Sequence, residues 1–90
     1  MTDADTRFLE RLEIDLAQRL GPRVAITRVS LDRPAADRVR ILVSTETESG
    51  PGSFSEEGDS LTAVAAALLH QCAEVRLAEG FREVLDGASA

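Results

Sequence analysis

Lysine, tryptophan and tyrosine are absent from this 90-residue chain, and cysteine, methionine and histidine each occur once. A lone Cys72 excludes an intrachain disulfide, so the fold must be held by packing alone, and the thiol reads as a small core hydrophobe in a reducing compartment. Three phenylalanines are the only aromatic residues, and 13 alanines supply much of the 43% hydrophobic fraction. The available core is therefore thin for a chain at the small end of the single-domain range, and self-association is a natural remedy. No apolar run approaches the roughly 20 residues that span a bilayer, and no signal peptide or lipidation motif is visible. A cytoplasmic protein without a membrane role is expected.

Acids outnumber bases by 16 to 10, for a net charge of −6. That balance repels polyanions and argues against general nucleic-acid or membrane-surface binding. All ten bases are arginine, and Arg19, Arg23, Arg28, Arg33, Arg38 and Arg40 crowd into residues 19–40.

Residues 60–85 carry the longest helical period. At 100° per residue, Leu61, Val64, Ala65, Leu68, Leu69, Cys72 and Val75 fall on an arc of about 140°, the width of a core-facing stripe. Leu77, Phe81, Val84 and Leu85 lie opposite. One surface cannot bury both stripes, so the helix either breaks near Gly80, running about 60–79, or continues to about 86 and meets two partners. Asp59 or Ser60 supplies its cap.

Residues 5–20 form a first helix, capped by Asp3, Asp5 or Thr6, with Phe8, Leu9, Leu12, Leu16 and Leu20 on one face and Ile14 off it. Gly21-Pro22 ends it. Residues 23–31 read as a strand in which Val24 and Ile26 have opposite parity to Val29 and Leu31, which a β-bulge or two partly buried faces explains. A turn over residues 32–37 leads to a second strand, 38–46, with Val39, Ile41, Val43 and Thr45 facing one way and Arg38, Arg40, Leu42 and Ser44 the other. Residues 47–59 are rich in acids, glycine and serine and read mainly as solvated loop, with a short strand about 53–57 anchored by Phe54. The order α-β-β-(β)-α, in one domain over residues 1–90, predicts an α+β two-layer sandwich with both helices on one face of a small antiparallel sheet.

Gly58-Asp59-Ser60, followed by Ala63, Ala65, Ala66 and Ala67, resembles the turn and Ala-rich last helix of the double-stranded RNA-binding domain. The resemblance implies the α-β-β-β-α layout. That family's RNA contacts depend on lysines at the start of the last helix, where this chain has Glu56, Glu57, Asp59, Leu61 and Thr62, so none of the family's binding residues carries over.

The remaining chemistry is sparse. His70 and Cys72 are two apart on a helix and point to different sides, which excludes a nucleophile–base pair between them. His70 reads as a surface residue or a pH-sensitive contact. Glu46, Glu48, Glu56, Glu57 and Asp59 match no calcium-loop spacing and read as solvating charges. The run from Ser49 to Ser53 lacks the lysine of a phosphate-cradling loop. Arg28, Arg38 and Arg40 form either an anion patch on the outer sheet face or a set of intramolecular ion pairs.

Neither a catalytic residue, nor a metal site, nor a cofactor is expected. The expectation is a small non-enzymatic interaction module, acting as a homodimer or with another protein. Leu77, Phe81, Val84 and Leu85 would form the interface, with a second apolar surface at Val24, Ile26 and Leu42. The alternative is a nucleic-acid or polyanion binder of RNA-binding-domain type that uses the Arg-bearing hairpin.

Overall fold

Helix α1 (Asp3–Leu20) starts one turn earlier than its apolar stripe requires, because Thr2 caps it. Thr2 Oγ1 accepts the Asp5 N–H at 3.1 Å, and the Asp5 carboxylate accepts the Thr2 N–H at 3.2 Å. This reciprocal capping box satisfies donors that a helix start otherwise leaves open. Thr2, rather than Asp3, Asp5 or Thr6, is the N-cap. At the other end Gly21 takes a φ of 84° and donates its N–H to the Ala17 carbonyl. A side chain at that positive φ would be strained, which explains the glycine.

The computed structural model describes residues 2–88, and side chains for residues 2–75. Strands β1 (Ala25–Ala35), β2 (Arg38–Thr47) and β3 (Gly50–Gly58) form one antiparallel sheet in the order β1-β2-β3, and helix α2 (Leu61–Ala88) follows. The fold is α+β in α-β-β-β-α order. Both helices pack on the same face, α1 over β1 and α2 over β3 and β2.

Between Ile26 and Arg28 the register with β2 shifts, leaving Thr27 as an extra residue. The bulge accounts for the parity change in β1. Ile26 opposite Thr45, Val29 opposite Val43 and Leu31 opposite Ile41 all lie on the helix side, whereas Arg28, Ser30 and Asp32 lie on the open side. Val24, just ahead of the strand, is only 5% exposed, and Ile26 packs against the core. The expected apolar surface of Val24, Ile26 and Leu42 therefore does not exist as a unit. Leu42 alone, 41% exposed, remains on the open face.

The hairpins are tighter than their composition suggests. The strands β1 and β2 are joined by a two-residue turn at 36–37, so residues 32–35 belong to β1 instead of a turn. Residues 48–49 join β2 to β3, and β3 runs from Gly50 to Gly58, nearly twice the expected 53–57. Gly50 at φ 114° opens that strand, and Pro51 is tolerated because β3 is an edge. Much of the expected loop is strand, since each residue of β3 finds a partner on β2, from Gly50 opposite Thr47 to Gly58 opposite Val39.

The core forms where the layers meet. Leu16, Ile41, Val43, Val64, Leu68 and Cys72 are fully enclosed, and Leu9, Leu12, Leu20, Val24, Val39 and Phe54 complete the cluster. Each large side chain there gains about 1.5–3 kcal/mol from leaving water. On α2, Ser60 Oγ accepts the Ala63 N–H at 3.1 Å as its cap, and Gly80 lies within the one continuous helix.

Candidate interaction surfaces

The open face of the sheet is built by the residues of alternate parity. Rows run across the strands: Asp32, Arg40 and Glu57; Ser30, Leu42 and Ser55; Arg28, Ser44 and Ser53. Small hydroxyl side chains surround Leu42, and charge sits on either side.

The three arginines singled out from the sequence share this face but differ in their partners. Arg38 donates from Nε and Nη2 to Glu57 Oε2, the shorter contact at 2.9 Å, and Arg40 donates from Nη2 to Asp32 Oδ2. These are exposed pairs of modest strength, yet they balance two of the three positive charges locally. Arg28 is exposed and makes no ion pair among the described residues.

A pairing that the sequence did not reveal ties α1 to β1. Arg33 donates from Nη1 and Nη2 to the two carboxylate oxygens of Asp5, at 3.3 and 3.2 Å. The same carboxylate serves the capping box, so one acid both starts the helix and clamps its end to the sheet. The Arg33 guanidinium and the Thr2 N–H together hold the Asp5 carboxyl below its ordinary value of 3.8, against the opposing effect of burial. Twenty-eight residues separate Asp5 from Arg33, and no local pattern links them.

A carboxyl with a depressed folded value contributes all its stability above its ordinary value and loses it as the pH falls through the folded value. Thermal melts of Asp5→Asn and wild type should therefore differ most at neutral pH, with the variant less stable. The gap should close once the pH falls well below 3.8. A gap that does not change with pH would show that the ion pair is not its source.

The other candidates do not converge. His70 is exposed and Cys72 fully buried, and burial pushes the Cys72 thiol up despite the nearby Arg19. Glu56 accepts the Gln71 Nε2 at 2.6 Å, Glu57 is held by Arg38, and Glu48 lies in the turn at the far end of β3. Among the described residues, no group of three His, Cys, Asp or Glu side chains is placed to hold a metal ion. A depression of about 320 Å³ lies where Val75 of α2 passes the β2–β3 hairpin. Thr45, Thr47, Ser49, Ser53 and Phe54 line it together with Gly50, Pro51 and Gly52, so among the described residues its walls carry hydroxyls without a titratable group.

The side chains of Leu77, Phe81, Val84 and Leu85 lie outside the described residues. Among the described residues no helix is long and apolar enough to cross a membrane. Comparison with protein-family models, curated proteins and solved structures returned no match.

Proposed function

We propose that this chain is a non-enzymatic interaction module that self-associates through the C-terminal part of α2. The observation that carries the reading is the length of that helix. Its 28 residues compare with 18 in α1 and 9 in β3. At 1.5 Å per residue α2 is about 42 Å long, whereas β3 at 3.3 Å per residue is about 30 Å. The longest dimension of the molecule, 51 Å, is well over twice its 19 and 18 Å cross-section. Helix α2 thus has more length than its own sheet layer needs.

Among the described residues the last two apolar contacts of α2 with the core are Cys72 and Val75. A continuous helix carries its phase onward, and 100° per residue sets positions 77, 81, 84 and 85 about half a turn from 64, 68 and 72. An apolar stripe of Leu, Phe, Val and Leu opposite the core stripe is what a two-fold helix contact uses. The likeness to the double-stranded RNA-binding domain belongs to this proposal as a matter of layout only, because the acidic approach to α2 lacks the cations that phosphate binding requires.

Sedimentation equilibrium or light scattering tests it. The wild type should exceed the 9.7 kDa of one chain, and Phe81→Asp should halve the observed mass while leaving the far-ultraviolet circular dichroism unchanged. A mass unaltered by Phe81→Asp overturns the α2 contact.

A further inference from the structure

We infer that the free edge of β1 pairs antiparallel with β1 of a second copy, centred on Ser30, and joins two three-stranded sheets into one of six. The edge is open by topology, because β1 has a strand neighbour only in β2. An uncovered edge offers a row of backbone donors and acceptors, and strand addition is the contact that satisfies them.

The chemistry of this edge is self-complementary. Between the bulge at Ile26/Arg28 and the irregularity at Asp32/Ala35, residues 28–32 keep an unbroken register with β2. That window reads Arg-Val-Ser-Leu-Asp. Antiparallel pairing about Ser30 sets Arg28 of each copy opposite Asp32 of the other, Val29 opposite Leu31, and Ser30 opposite itself. Opposite residues of an antiparallel pair share a face. The two charge pairs then fall on the open face, and the Val–Leu pairs fall on the helix side. A two-fold axis through Ser30 needs nothing further to be consistent.

Two observations point to a second copy as the occupant. Arg28 has no ion pair among the described residues, whereas Arg33, Arg38 and Arg40 each have one. Strand β1 also has no buried residue in its 11, although Ile26, Val29 and Leu31 face the helices. Their cross-strand neighbours Ile41 and Val43 are fully buried. A second β1 alongside would cover the part of Val29 and Leu31 that remains open.

The other edge lacks this match. Self-pairing of β3 about Phe54 would set Glu57 against Pro51 and Glu56 against Gly52, with no opposite charge and with a residue that has no N–H to donate. Among the described residues helix α2 packs over β3 and β2 and not over β1, so the two contacts involve different elements and can be tested separately.

The test uses the full chain carrying Phe81→Asp, which removes the α2 contact. This protein should still have twice the 9.7 kDa mass of one chain. Adding Arg28→Asp places like charges opposite each other and should reduce it to one chain. Adding Asp32→Arg as well restores opposite charges in reversed order and should recover the double mass. Because Asp32 also pairs with Arg40, an independent measurement guards against misfolding: Ser30→Cys, in the Phe81→Asp chain treated with oxidised glutathione, should give a disulfide-linked dimer. Ser55→Cys, on β3, should not. Mass of a single chain for Phe81→Asp, or no more crosslinking through position 30 than through position 55, overturns the proposal.

Discussion

Leu16→Ala should lower the unfolding free energy by about 2–5 kcal/mol, the usual range for a buried leucine that leaves a cavity. Leu16 is fully enclosed at the meeting of α1 with the rest of the core. A domain of this length has a total stability of roughly 5–13 kcal/mol, so the loss is a large share of the whole. At roughly 4–8 °C per kcal/mol for a domain of this size, the melting temperature should fall by at least about 8 °C. Urea denaturation with an unchanged slope would attribute the change to stability rather than to a different unfolded state. Ile14→Ala is the control, because Ile14 is 53% exposed and its substitution should change the unfolding free energy by less than about 0.5 kcal/mol. Similar shifts for the two variants would refute the placement of the core.

Deleting one residue from β1 should have opposite consequences on the two sides of Arg28. Removal of Thr27 takes out the bulge and leaves Ile26, Val29 and Leu31 on the helix side, with Arg28 on the open side. Its cost should be small, within about 1 kcal/mol, because no side chain changes face. Removal of Ser30 shifts the parity of everything before it. With Leu31 still on the core, Val29 turns outward and Arg28 turns toward the helices. Turning the partly buried Val29 outward forfeits up to about 1.5 kcal/mol, and setting the Arg28 charge against the apolar helix side without a partner adds a further cost. Thermal melts of the two deletions should therefore separate widely, with the Ser30 deletion largely unfolded at 37 °C. Equal melting temperatures would mean that β1 slides freely and that its register is not what holds the apolar residues inside.

The parity change behind that second prediction was visible in the residues themselves. Val24 and Ile26 disagree with Val29 and Leu31, and a bulge is one of two arrangements that reconcile them. Sequence could not choose between the bulge and a strand buried on both faces, because the choice depends on whether anything packs on the second face. Among the described residues nothing does: the open face carries Arg28, Ser30, Asp32, Arg40 and Leu42, and both helices lie on the other side.

Strand β3 shows the opposite case. Gly-Pro-Gly-Ser-Phe-Ser-Glu-Glu-Gly has weak intrinsic preference for extended structure. It becomes a strand along its whole length because a tight turn at residues 48–49 returns it against β2, whose own alternation is strong. The cap of α1 depends on distant residues for a related reason. Four of the first six residues can cap a helix, and the reciprocal contact between Thr2 and Asp5, reinforced by Arg33 from β1, selects one of them. The ion pairs of the outer face follow the same logic, since Arg38 meets Glu57 only after β3 has formed.

Local periodicity by itself determined the two helices, the inward row of β2, the break at Gly21 and the α+β order, because those features depend on residues within a turn or two of one another. The bulge as the answer to the β1 parity, the extent of β3, the Asp5–Arg33 clamp and the division of arginines into paired and unpaired were decided only by tertiary structure. Each depends on which strand lies beside which, and that information is spread over residues that meet only when the sheet closes.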